Sequence, residues 1–375
     1  MLALAACGKI APTPPVPANA MLLGVAAAEP IATLALEQDD AVTALDAFVA
    51  SCPVVTTRED VSGLTAPAEW IAPCEAAVTW PRAVAADFFV QNFEAVRVGD
   101  GAAFATGYFE PEIAGSRTGR PGFEVPVYGM PADLLRAWPE DTPEAERVGN
   151  PPLGRFDESG AFVSYFTRGQ IEDGALEGRA PVIAWAADPV EFFFLQIQGS
   201  GRLSTPEGEV IRIGYAGQNG RGYTAIGALM RQRGLLGDGP GQYEPSMQGI
   251  MAYLREHPAE GDALMRENES WVFFRELTGD GPLGSIGVPV RGQSSVAVDP
   301  RFVPYGAPVF LTTDREEARG LWVAQDTGGA IKGANRFDTF WGAGEQARQI
   351  AGGMSTRGTA LVLVPLGTLE RLGVK

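Results

Sequence analysis

The chain has 375 residues, 45% hydrophobic and 20% charged, with a formal net charge of −17. That length supports two domains, each with its own core, and the acidic balance excludes nucleic acid as a partner, because phosphate binding wants a basic face. The single histidine, His257, excludes Ser-His-Asp and Cys-His catalysis and any histidine-based zinc site, so no metal and no cofactor are expected and carboxylates are the natural acid–base groups.

The first 30 residues read as a leader and linker. Leu4-Ala5-Ala6-Cys7-Gly8 has the pattern of a bacterial lipobox, with Cys7 as the lipidated residue, although only six residues precede it. The Pro/Ala stretch KIAPTPPVPANA after it suits a tether between a lipid anchor and a folded domain. The other cysteines, Cys52 and Cys74, form an even pair that can close a disulfide in an oxidising compartment, or stay reduced and buried in the cytosol. No run is long and apolar enough to span a membrane.

Residues 40–51 predict an amphipathic helix, and residues 76–94 a second, with Trp80, Phe88, Phe89 and Phe93 toward the core. Short strands begin near residue 96. PVEFFFLQIQ, at 189–198, reads as a buried strand or a helix-to-strand transition. The polar loop YAGQNGRGY feeds a helix, and two further helices follow from Ser246 and Pro258. From residue 270 the texture returns to strands with Asp, Gly and Pro turns. The expected fold is therefore mainly β with helices: two β-domains with a groove between them.

Two features carry chemistry. LWVAQ reads as a strand ending at Asp326, and a Gly-rich turn leads on to Asp338 beside Phe337, Phe340 and Trp341. Apolar neighbours disfavour a charged carboxylate and raise its pKa, which suits a general acid. The competing reading is a pair of turn-capping aspartates. Elsewhere Tyr108, Gln196, Gln198, Ser200, Tyr215, Asn219 and Tyr223 stand among glycines. Amides that bond hydroxyl and N-acetyl groups, with rings that stack on sugar faces, suit carbohydrate.

The runs GYFEP (107–111), VPVYGMPADL (125–134), DPVEFFFLQIQGSGR (188–202), GYAGQNGRGYTAIGALMRQRG (214–234), SWVFFRE (270–276) and AQDTGGAIKGANRFDTFWGAG (324–344) together resemble the family of membrane-bound lytic murein transglycosylases A. The resemblance implies a double-psi β-barrel from residues 31–112 plus 243–375, with a smaller β-barrel inserted at 113–242. It implies a peptidoglycan strand in the groove between them and a three-aspartate module, here Asp299, Asp326 and Asp338. Asp338 would be the catalytic acid and Asp326 its support. Tyr108, Glu110, Gln196, Gln198, Gly199, Ser200, Tyr215, Ala216, Asn219 and Tyr223 would contact substrate. Where the family pattern carries GYY this chain has Phe109, which removes a hydroxyl. The implied setting is the periplasm, as an outer-membrane lipoprotein whose partners are glycan strands, membrane lipid through the anchor and, possible by the same resemblance, other cell-wall proteins. The expected reaction is cleavage between N-acetylmuramic acid and N-acetylglucosamine, giving a 1,6-anhydro product. A non-catalytic peptidoglycan-binding lipoprotein and a two-carboxylate hydrolase are the alternatives.

Overall fold

The computed structural model describes residues 17–278 and 281–374; Cys7 lies outside them. In chain order, β1 (Val25–Ala27), β2 (Phe93–Val98) and β3 (Ala102–Glu110) come first. The middle of the chain supplies β4 (Glu112–Ser116), β5 (Val125–Tyr128), β6 (Leu135–Arg136), β7 (Leu153–Phe156), β8 (Phe162–Ser164), β9 (Val182–Ala186), β10 (Ser200–Ser204), β11 (Val210–Gln218) and β12 (Val272–Glu276). The last part supplies β13 (Ser295–Ala297), β14 (Pro308–Thr313), β15 (Gly320–Asp326), β16 (Arg336–Ala343) and β17 (Ser355–Pro365).

Six of these strands close a barrel in the order β17–β14–β15–β13–β16–β3, with β3 returning to β17. The pairs β13–β15 and β16–β3 are parallel. β17 is long enough, at 11 residues, to pair with β3 along its first half and with β2 along its second. Closure removes the exposed strand edges that an open sheet would carry.

The helix Gln38–Val55 packs its buried face (Ala41, Ala44, Leu45, Phe48) against the barrel and against the helices Ile71–Thr79 and Ala85–Asn92. Phe48, Trp70, Phe88 and Phe93 form one aromatic cluster there, with Phe48 edge-on to Phe93 at 5.4 Å between centroids. The single helix expected over 76–94 is instead two. Trp80, preceding Pro81, is forced extended (φ −64°, ψ 131°) and the first helix stops. The second stops at Asn92, so Phe93 opens β2 while keeping its place in the core.

Cys52 and Cys74 are disulfide-bonded, tying the first helix to the second. A cross-link closing a loop of this separation, 22 residues, removes about 3 kcal/mol of unfolded-state entropy. The double replacement Cys52→Ser, Cys74→Ser is expected to lower stability by about that amount. Denaturant unfolding of the oxidised protein and the variant measures it.

The middle of the chain builds a second sheet, β12–β11–β10–β4–β9–β5, whose end strands β12 and β5 approach each other, and a small sheet β6–β7–β8. Tyr165, Phe192, Phe273 and Phe274 fill its core. Because β12 pairs with β11, this unit runs to Glu276, well past the expected end at residue 242. The helices Met247–Glu256 and Pro258–Arg266 belong to a separate cluster with Phe193, Phe194 and Met230. No helix among the described residues is long and apolar enough to cross a membrane.

Candidate active site

A cleft of about 880 Å³ lies between the closed barrel and the second unit. Its floor is set by strand register. Ala297 in β13 pairs with Asp326 of β15 on one side and with Asp338 of β16 on the other. The two acids thus stand two strands apart, roughly 10 Å between α-carbons, with only a methyl group between them. Parallel pairing of β16 with β3 places Asp338 opposite Thr106 and Phe340 opposite Tyr108.

Each carboxylate has a different set of partners. Asp338 Oδ1 accepts a 2.5 Å hydrogen bond from the Thr106 hydroxyl, which itself accepts from Arg336 Nη2 at 2.9 Å. Its Oδ2 has no hydrogen-bond partner among the described residues and the side chain is half-buried. Asp326 is held by three groups. The backbone N–H groups of Ser285 and Thr327 donate to Oδ1 at 2.9 and 2.8 Å, and the Tyr108 hydroxyl donates to Oδ2 at 3.0 Å. To do so the Tyr108 ring, packed at a tilt against Phe340 with centroids 4.9 Å apart, reaches from β3 across the cleft floor to β15.

Burial pushes the Asp338 carboxyl up to about 6; Thr106 and Arg336 oppose that rise and the Asp326 charge adds to it. Burial raises Asp326 as well, against the pull of its donors. Tyr108 sits well above the usual phenol range because it is buried and faces both acids. The desolvation of Asp338 does not come from Phe337 and Trp341. Side chains alternate along a strand, so Phe337 and Trp341 point into the barrel core. Phe340 shares the cleft face with Asp338, together with Tyr108, Val290, Ala297 and Ile331.

Of the residues expected to contact substrate, Tyr108, Gln196, Gln198, Gly199, Ser200, Tyr215 and Tyr223 line the cleft. PVEFFFLQIQ is a helix, Pro189–Gln198, rather than a strand. Asp188 caps it by accepting from Val190 N and Glu191 N, and Gly199 ends it in the left-handed region (φ 77°). That ending brings Gln196, Gln198 and Ser200 to one wall. Gln198 Oε1 accepts from Phe109 N at 3.1 Å. The Gln196 amide, 2% exposed, has neither its nitrogen nor its oxygen partnered among the described residues. Tyr215 and Tyr223 present exposed rings.

Three expected contacts lie away from the cleft. Glu110 is 1% exposed and ion-paired with Arg202 at 2.8 Å and Arg212 at 3.3 Å. Asn219 is fully buried: it donates to Phe166 O and Glu269 O and accepts from Trp271 N, pinning three backbone segments. Ala216 is the extra residue of a bulge between Tyr215 and Gly217. Asp299 is also structural. Burial would raise it, but Arg301 and the Gly333 N–H hold its carboxyl below the usual range.

Sequence reasoning missed the pairing of Thr106 and Arg336 with Asp338, and the cationic lining of Arg168, Arg221, Arg275 and Lys332. No group of three or more His, Cys, Asp or Glu side chains among the described residues is placed to hold a metal ion.

Comparison with known proteins gives two family-model matches, the MltA specific insert domain over residues 104–275 and the 3D domain over residues 294–364. Membrane-bound lytic murein transglycosylase A of Escherichia coli (strain K12) is 31% identical over 269 residues, 69% of this chain and 64% of that protein. The match thus spans less than two thirds of that relative's length. The crystal structure of MltA from Neisseria gonorrhoeae, monoclinic form, is 37% identical with a TM-score of 0.72, covering 88% of this chain and 89% of that one. E. coli MltA with bound chitohexaose is 25% identical with a TM-score of 0.64, covering 87% and 89%. With both family modules in order and 37% identity over nearly the whole of a solved member, this chain belongs to the MltA family.

Proposed function

We propose that the protein is a lytic transglycosylase that cleaves peptidoglycan glycan strands between N-acetylmuramic acid and N-acetylglucosamine, with Asp338 as acid and then base. The observation that carries this reading is the asymmetry of the two carboxyl groups. Asp326 has both oxygens occupied by three donors, whereas Asp338 has a raised pKa and one oxygen open to the cleft. One available carboxyl group suits a reaction whose nucleophile belongs to the substrate. Protonated Asp338 gives its proton to the glycosidic oxygen. The carboxylate then takes the proton of the C6 hydroxyl of the same muramic residue as that oxygen bonds to C1. The attack is intramolecular and needs no activated water. A hydrolase would need a second free carboxylate at about 5 to 9.5 Å, and Asp326 is already engaged.

The remaining lining supports a glycan that carries N-acetyl and acidic groups. The unpaired Gln196 amide offers one donor and one acceptor to an acetamido group. Tyr215 and Tyr223 offer faces for sugar rings. Arg221, Arg275, Lys332 and Arg336 gather in the cleft of a chain whose net charge is −17, which favours carboxylate-bearing substituents. The bound chitohexaose in the E. coli relative agrees with a glycan in this groove. Envelope placement follows from the family. Lipidation of Cys7 and attachment to the outer membrane, facing the periplasm, complete the proposal.

Digestion of purified sacculi with product masses tests the chemistry. Anhydro-muropeptides are expected; products with reducing ends, heavier by one water, would replace this mechanism with hydrolysis.

A further inference from the structure

A second cavity, about 570 Å³, opens in the inserted unit on the far side of Arg168, which lines both it and the cleft. Its apolar floor includes Tyr128, Phe192 and Trp271, with the Tyr128 and Phe192 rings 6.4 and 6.0 Å from the Trp271 ring. The Trp271 Nε1–H is buried in this 3%-exposed residue and has no hydrogen-bond partner among the described residues. A buried donor left unmatched is costly unless something else completes it.

The rim is acidic. Glu172 and Asp262 are balanced by Arg266, at 3.1 Å from each, and Glu172 also faces Arg168 at 3.7 Å. The Arg168 guanidinium packs against the Phe193 and Trp271 rings, at 4.7 and 5.1 Å from their centroids, and donates to Asn268 O and Ser270 O, so it is committed to the wall. Glu124 and Glu177 also line the cavity, and neither has an ion-pair partner among the described residues. An aromatic floor beneath two uncompensated carboxylates favours an organic cation over an anion or a neutral group. The unmatched Trp271 donor adds a need for a hydrogen-bond acceptor on the same ligand.

We infer that this cavity is a binding site for a peptide-borne aliphatic ammonium: the amine is held by Glu124 and Glu177, its methylene stem lies on the aromatic floor, and a peptide carbonyl accepts from Trp271 Nε1. The site is distinct from the cleft and stands independently of the glycan-cleavage reading.

Calorimetric titration of the whole protein with Nα-acetyl-lysine-amide tests it. Saturable binding is expected, with at least about tenfold weaker binding of the neutral Nα-acetyl-norleucine-amide. Cadaverine, a free diamine without a carbonyl, is expected to bind about fivefold or more weakly than the lysine derivative. The variant Glu124→Gln/Glu177→Gln, whose residues lie outside the cleft, should lose about tenfold in affinity while its melting temperature and sacculus digestion stay unchanged. Equal binding of the norleucine analogue, unchanged affinity in the double variant, or no saturation up to about 50 mM would overturn the site. Cadaverine binding as tightly as the lysine derivative would overturn the role given to Trp271.

Discussion

Asp338→Asn is expected to lower anhydro-muropeptide release by about three orders of magnitude and, at pH 8, to make the protein more stable. The two effects share one cause. In the fold the carboxyl titrates at about 6 rather than 3.8, chiefly because it is buried. A group whose folded pKa is raised contributes its stability fully below the unfolded pKa, and loses that contribution as pH rises through the folded one. At pH 8 the wild type therefore holds a carboxylate where a neutral group is preferred. The gap sets a ceiling of about 3 kcal/mol. One face of the carboxyl opens to the cleft, so the expected gain is about 1–2 kcal/mol. Below about pH 4 the variant and wild type should converge. The amide keeps an oxygen to accept from Thr106, so the site geometry survives. Denaturant melts at pH 4 and pH 8, with sacculus turnover, check both halves. A variant that loses activity without gaining stability at pH 8 would show that burial does not set the proton affinity. In the wild type, turnover limited by the protonated acid should fall as pH rises through about 6.

The second large effect concerns Glu110, at the end of the strand where the chain leaves the closed barrel for the inserted unit. Its carboxylate, 1% exposed, meets Arg202 of β10 and Arg212 of β11. Removing one member of a buried ion cluster leaves charge without compensation and typically costs about 3–5 kcal/mol. Glu110→Ala is expected to lose about 3 kcal/mol in denaturant unfolding, because Arg202 retains access to water. The folded fraction should keep its affinity for sacculi. A substrate contact would behave in the opposite way, with weakened sacculus binding and unchanged stability. Glu110→Gln, which keeps one acceptor, should fall between wild type and the alanine variant in stability.

Glu110 also illustrates what the sequence could and could not reveal. The motif GYFEP marks it, and a motif reports that a residue matters without saying to what. Asn219 stands in the same position: its place in a polar Gly-rich loop suggested sugar contact, yet it fastens three backbone segments. Local signals fared well where local physics decides. LWVAQD is a strand ending at Asp326. The Ser246 cap and the Pro258 start are both present. The helix Pro189–Gln198 was also legible, from Asp-Pro at its start and Gly at its end, but the apolar run obscured its period. Long-range partners were out of reach. Nothing near Asp338 in the sequence indicates Thr106, because the two meet only through the parallel pairing of β16 with β3. The same pairing decides which aromatic residues face the acid.

That pairing joins positions 232 residues apart. A nascent chain can complete the inserted unit and the N-terminal helices before β16 exists, but it cannot assemble the acid with its hydroxyl partner. Chains cut short before residue 336 should fold in part and cut nothing. Under the proposed function, glycan cleavage is thereby withheld until β16 has been made and paired with β3.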